Sequence, residues 1–226
     1  MVKKLFLTAI LAAPLFLKAQ NSQTTSKSNY TPKVILSPSV GYAWRLAKMP
    51  AGIDHETRKY LKGLKSGMDI GFSAYYSINR ASAIGLRASG YFASSDGRIT
   101  VKDYYGNNII VPTSTKDNIS YFGPAFMFSN FNEETKHKLF YEISLGVISY
   151  TTKTENIEGK GSSLGAEFNF GYQYELSKNI SIGPKLGVSG GTLSKMKFNG
   201  TTVNFDNEEK EGLTRLSLSA SATFRF

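Results

Sequence analysis

From Val34 to Phe226, apolar side chains recur at every second position in segments of about 10 to 14 residues, and no stretch sustains a 3.6-residue period. Eight such segments can be bounded, at 34–46, 67–78, 82–94, 119–129, 139–151, 164–176, 180–190 and 214–226. Each meets or exceeds the roughly 9 to 11 residues with which a tilted strand crosses a bilayer. A period of two puts alternate side chains on opposite faces of a strand, so each segment has one apolar face and one small or polar face.

The faces are read directly from the residues. The first segment sets Val34, Leu36, Pro38, Val40, Tyr42 and Trp44 against Ser37, Ser39, Gly41, Ala43 and Arg45. The sixth sets Leu164, Ala166, Phe168, Phe170, Tyr172 and Tyr174 against Gly165, Glu167, Asn169, Gly171, Gln173 and Glu175. A soluble ligand-binding barrel has the same period with its apolar face turned inward. The composition of the polar face favours the reverse: a water-facing exterior carries many long charged side chains, whereas here Gly71, Ser73, Gly85, Ser89, Gly123, Ala125, Ser144, Gly146, Gly183 and Gly187 suit a narrow interior. The large aromatic face then belongs in lipid, with Tyr and Trp toward the strand ends. The expected fold is all-β, an eight-stranded antiparallel up-and-down transmembrane β-barrel over 34–226.

Connection lengths agree. Asn79-Arg80-Ala81, Asn130 to Lys138 and Ser177-Lys178-Asn179 are short, whereas 47–66, 95–118, 152–163 and 191–213 are mostly long. Alternation of this kind is expected of a barrel with short periplasmic turns, long outer loops and both termini periplasmic. Loop 95–118 contains apolar runs flanking Tyr105-Gly106-Asn107 and is expected to extend as a hairpin. Pro38, Pro124 and Pro184 oppose the barrel reading, because each removes a ladder donor; bulges or strand ends are expected there.

Residues 1–19 carry Lys3 and Lys4, an apolar stretch from Leu5 to Leu17, and Ala19 before a candidate cleavage point. This pattern reads as a signal peptide. Residues 20–33 form a polar tail with little to bury. Loss of Lys3, Lys4 and Lys18 takes the net charge from +10 to about +7. With 0 Cys, disulfides and thiolate sites are excluded, and with 2 His a multi-histidine metal site is not expected. The positive balance does not indicate nucleic-acid binding, since there is neither a basic helix nor zinc-ligand spacing.

The eight segments, the leader and the ending Ser221-Ala222-Thr223-Phe224-Arg225-Phe226 resemble the small outer-membrane β-barrel family of the OmpA transmembrane domain and OmpX kind. Gly123-Pro124 and Gly183-Pro184 are similar to a recurrent pattern in PorT-like barrels. The resemblance implies that Leu218, Ala220, Ala222, Phe224 and Phe226 form a C-terminal signal read by the outer-membrane assembly machinery. It fixes no activity, because this architecture hosts anchors, adhesins, pores and enzymes.

The inward parity collects Arg45, Arg87, Lys185, Arg215 and Arg225 with Asp69, Glu142, Glu167 and Glu175, a nearly neutral set. Eight strands enclose only enough width for side chains to fill, so these charges are expected to pair across the lumen, with Arg45 and Asp69 as one pair. A narrow ion or small-solute path is the alternative. A lipid A-modifying enzyme is a second alternative, resting on His55 with Ser66 or Asp69; a base needs its nucleophile and orienting acid in hydrogen-bond reach, which spacing alone does not establish. A secretion-associated role of the PorT kind is a third.

His137, in the charged stretch Glu133 to Lys138, is expected in a solvated periplasmic turn. The first long loop is basic, with Lys48, Arg58, Lys59, Lys62 and Lys65 against Asp54 and Glu56, and could hold glycolipid phosphates. Asp206-Asn207-Glu208-Glu209-Lys210-Glu211 does not match calcium-loop spacing, so no metal and no cofactor are assigned. The expected protein is a monomer in outer-membrane lipid and lipopolysaccharide, without catalytic residues, with an extracellular ligand open to loops 47–66, 95–118, 152–163 and 191–213.

Overall fold

Alternation drives nearly the whole chain into strands. The computed structural model describes residues 32–47, 49, 52–205 and 210–226. The expected signal peptide, all but the last two residues of the expected tail, Lys48 and Asp206 to Glu209 lie outside the described residues. The order is β1 (Val34–Arg45), α1 (His55–Gly63), β2 (Ser66–Ser77), β3 (Ser82–Lys102), β4 (Asn108–Ser129), β5 (His137–Thr154), β6 (Ile157–Ser177), β7 (Ile180–Leu193), β8 (Lys195–Phe198), β9 (Thr201–Asn204), β10 (Glu211–Gly212) and β11 (Arg215–Arg225).

Strands β1 to β7 pair antiparallel with their sequence neighbours, β7 pairs with β11, and β11 closes on β1. The result is a closed antiparallel barrel of eight strands, which leaves no open edge in the wall. The last residue completes the seam: the Phe226 carbonyl accepts from the Lys33 and Val34 amides at 2.7 and 3.1 Å, and its own N–H donates to Val34 O at 2.9 Å.

The assignment of sides holds. Leu218 is 48% exposed between buried Ser217 and Ser219, and Phe168 and Phe170 flank buried Asn169 on the outer face. Val40, Leu86, Phe122 and Leu145 are likewise turned outward and exposed. Such an apolar exterior is stable only against acyl chains. Tyr42 and Trp44 meet edge to face, with centroids 5.4 Å apart, at one rim; His137, Tyr172 and Tyr174 gather at the other. No helix of the described residues is long and apolar enough to cross a membrane.

Of the four expected long loops, one forms the expected hairpin and one is instead paired strand. The hairpin within 95–118 is present, β3 and β4 staying in register from Ser82↔Phe128 to Lys102↔Asn108. Segment 152–163 is no loop: β5 and β6 pair up to Thr154↔Ile157 and turn at Glu155-Asn156. Loop 47–66 carries α1, which the period-two reading missed, and loop 191–213 holds the β8–β9 hairpin, turning at Asn199-Gly200 where both residues have positive φ.

The prolines need no bulge. Each of Pro38, Pro124 and Pro184 faces outward beside a two-pair gap in one ladder, toward β11, β5 and β6 respectively, while the register on either side of the gap is unchanged. Inward hydroxyls cover part of the deficit. Ser144 Oγ donates to the Pro124 carbonyl at 2.8 Å, and Ser221 Oγ donates to the Gly183 carbonyl at 3.2 Å. Across the Pro124 gap the strands come so close that a Cβ on Gly123 would lie 2.4 Å from Leu145 O and 2.6 Å from Gly146 Cα, so only glycine fits.

Candidate functional site

The inward residues form three tiers. The middle tier opposes Arg87, Lys185 and Arg215 to Asp69, Glu142 and Glu167, all six at most 4% exposed. Arg87 Nε lies 3.0 Å from Glu167 Oε2 and 3.4 Å from Glu142 Oε1. Arg215 reaches Glu167 Oε1 at 3.0 Å and Asp69 Oδ1 at 3.8 Å. Polar neighbours supply further partners: Ser73 donates to Glu142 at 3.0 Å, Asn169 donates to Glu142 at 2.8 Å, Lys185 donates to Ser39 at 2.7 Å, and Ser89 donates to Glu167. A buried charge is tolerated only with this density of compensation. The space left among Asp69, Arg87, Glu167 and Arg215 is about 10 Å³, at the lower limit for a single water.

The tier at the end carrying both described termini is built from Glu175, which binds Arg225 at 2.7 Å and Lys138 at 2.9 Å. The β4–β5 turn folds into the barrel mouth here. Phe131 is 1% exposed against Phe140 and Met127, its carbonyl accepts from Arg225 and Lys138, and the Arg225 guanidinium lies 5.7 Å from its ring centroid. The charge run 133–138 is thus not wholly solvated, since Lys138 is fully buried. His137 itself is exposed, with Nδ1 2.7 Å from the Tyr172 hydroxyl.

At the opposite end the expected Arg45–Asp69 pair is not formed. The β1–β2 register sets Gly41 opposite Asp69, so Arg45 lies four residues further along, about 13 Å away. Arg45 binds Asp117 at 3.0 Å and Glu211 at 2.5 Å and covers the Tyr150 ring at 5.0 Å. The sequence reading puts both Asp117 and Glu211 in loops. A signal for Asp117 exists, because Thr113, Thr115, Asp117 and Ile119 continue the buried parity of β4 upward. Glu211 has no such signal, since β10 is two residues long.

α1 packs across this end. Asp54 caps it, accepting from the Thr57 amide at 3.0 Å and the Thr57 hydroxyl at 2.6 Å, contacts that hold its carboxyl below the usual aspartate range. Asp103, in the β3–β4 turn, is lowered in the same way by the Asn107 amide. Tyr60 is buried and donates to Thr115, while Ser95 donates to the Tyr60 carbonyl at 2.8 Å. Arg58, Lys59 and Lys62 stay exposed, and Lys65 is half-buried.

The catalytic alternative is not assembled among the described residues. His55 opens α1 in solvent, the Ser66 hydroxyl accepts from Tyr42 at 3.0 Å on the outer face, and Asp69 is inside the lumen with Arg215. No group of three metal-ligating side chains is present among the described residues.

A closed eight-stranded wall, apolar outside and filled with paired charge inside, is the transmembrane β-barrel of the outer-membrane class. No family model and no curated protein matches the sequence. Among solved structures the chain is similar to a major outer membrane protein from Thermus thermophilus, with TM-score 0.52, 13% identity, and 87% of this chain and 100% of that one covered. It also aligns with Neisserial surface protein A (TM-score 0.48, 14% identity, 85% and 97% covered). OprG from Pseudomonas aeruginosa aligns with TM-score 0.47 at 11% identity, covering 86% and 97%. The Thermus likeness carries the fold and nothing further.

Proposed function

We propose that this protein is a monomeric outer-membrane barrel without catalytic activity, which acts as a non-conducting wall and presents its outer end for envelope integrity or surface contact. Both termini lie on the periplasmic side in this reading, and α1 with the extended hairpins faces outward. The observation that carries it is the middle tier: three cations against three anions, all six at most 4% exposed, with a crevice of about 10 Å³ beside Asp69, Arg87, Glu167 and Arg215. Such dense pairing supports a closed lumen rather than a conducting one. Exposed Arg58, Lys59 and Lys62 on α1 suit the phosphates of lipopolysaccharide, and the outward Leu218, Ala220, Ala222, Phe224 and Phe226 suit recognition by the assembly machinery during insertion. The leader over residues 1–19 would direct export.

Planar-bilayer recording of the folded barrel tests the reading. No steady conductance is expected. A steady current lost on Arg87→Gln or Glu167→Gln would replace the inert wall with the narrow-channel alternative.

A further inference from the structure

On the outside of the wall, the last apolar row toward the end carrying α1 is Phe122, Val147 and Leu164, side by side on β4, β5 and β6. The next outward row is Ser120, Ser149 and Ser162. Beyond it, Lys160 of β6 stands directly opposite Lys197 of β8, and one outward row higher Lys116 of β4 stands directly opposite Lys153 of β5. All four lysines are exposed, on the same side of the sheet as Leu164. Like charges directly opposite in an antiparallel pair repel, so two such pairs on one face are destabilising unless an anion lies between them. Glu158 serves one of the four, binding Lys160 at 2.9 Å. Lys116, Lys153 and Lys197 have no ion-pair partner among the described residues, and Glu155 in the adjoining turn accepts instead from the Ser114 amide at 2.8 Å.

We infer that the two lysine pairs bind a glycolipid of the outer leaflet that carries two phosphates on its sugar headgroup, one phosphate at each pair. The inference rests on the outward-facing reading above and gives the wall itself a lipid partner, separate from α1. The pairs lie two strand spacings across and two residues up from one another, about 12 Å, which is farther than a single phosphate spans. Lys160 is four residues beyond Leu164, about 10 Å in height at the tilt of a small barrel. A lysine stem bends back along the wall and brings its ammonium into the headgroup layer. Below the lysines the wall is recessed. Ala166 stands opposite Gly190, and a Cβ on Gly190 would meet only Thr214 Oγ1, at 3.6 Å, which leaves a furrow between Leu164 and Phe168. An acyl chain packs in that furrow while its headgroup reaches the lysines, a fit that a soluble polyanion does not have.

The test uses the full mature barrel in phosphatidylcholine nanodiscs doped with diphosphoryl lipid A, with its dephosphorylated form, or with phosphatidylglycerol, and reads the lipid retained by native mass spectrometry. Selective retention of diphosphoryl lipid A is expected, weakened by about tenfold or more in Lys160→Gln/Lys197→Gln and kept in Lys160→Arg/Lys197→Arg. Gly190→Leu, which fills the furrow and touches no lysine, should weaken it too, whereas Arg58→Gln/Lys59→Gln/Lys62→Gln on α1 should leave it in place. In phosphatidylcholine alone, Lys197→Gln should resist urea at least as well as the parent, because a like-charge contact is relieved; with lipid A present it should be the less stable of the two. Equal retention of the dephosphorylated form or of phosphatidylglycerol, retention indifferent to the lysine variants, a loss carried by the α1 variant instead, or destabilisation by Lys197→Gln in phosphatidylcholine would overturn the proposal. Steady conductance of the same protein would refute the inert wall and leave this site standing.

Discussion

Glu167 stands between two guanidiniums, so its replacement by Gln is the sharpest probe of the lumen. The carboxylate accepts from Arg87 Nε and from Arg215 Nη2, each at 3.0 Å, and from Ser89, while only 4% exposed. Glu167→Gln keeps the shape but leaves Arg87, Lys185 and Arg215 facing Asp69 and Glu142 alone. Removing one partner of a buried ion pair costs about 3–5 kcal/mol, because the surviving charge has neither water nor counter-ion. Pairing the change with Arg215→Met restores neutrality, so the double variant should be more stable than the sum of the two single losses by about 2 kcal/mol. Urea unfolding in lipid vesicles reads this through Trp44, the only tryptophan, which sits at the lipid rim. A single-variant loss below about 1 kcal/mol, or additivity within about 0.5 kcal/mol, would refute the compensated block.

Phe131→Ala should cost about 3–5 kcal/mol in the same assay, since a ring 1% exposed leaves a cavity at the termini end. On the lipid face, Ala220→Arg near the middle of β11 should cost about 2–4 kcal/mol and Tyr42→Arg near the rim about 1 kcal/mol or less; equal effects would contradict burial of that face in lipid. For α1, the lowered Asp54 carboxyl means that the cap's contribution is fully present above the ordinary aspartate range and is lost as pH falls through the depressed folded value. The protection of the Thr57 and Arg58 amides, referred to the intrinsic exchange rate at each pH, should therefore fall on acidification, and Asp54→Asn should remove that dependence.

The elements divide by how local their cause is. β1, β2 and β11 are legible almost residue by residue, because alternation is a property of neighbours along the chain and the small inner residues tell the two faces apart. α1 is not. It spans nine residues with Tyr60 as its only buried side chain, and that ring is held by Thr115 of β4 rather than by a periodic stripe of its own. The upper halves of β5 and β6 escape the pattern, and those of β3 and β4 show only as a hairpin expected within a loop, because outward positions turn polar above Phe92 and Phe122, which erases the apolar signal while the backbone ladder continues.

Arg45, Arg87, Lys185, Arg215, Arg225, Asp69, Glu142, Glu167 and Glu175 could all be placed inside from parity alone, since a residue's side of a strand depends only on whether its position is odd or even. Which cation meets which anion depends on height, and height depends on how far each strand is shifted against the next around the closed ring. That shift separates Arg45 from Asp69, brings Asp117 from β4 and Glu211 from β10 to Arg45, and leaves Asp69 to Arg215. Closure is a long-range condition on all eight strands at once, so sidedness belonged to the sequence by itself, and the partnering of the lumen was decided only when the barrel closed.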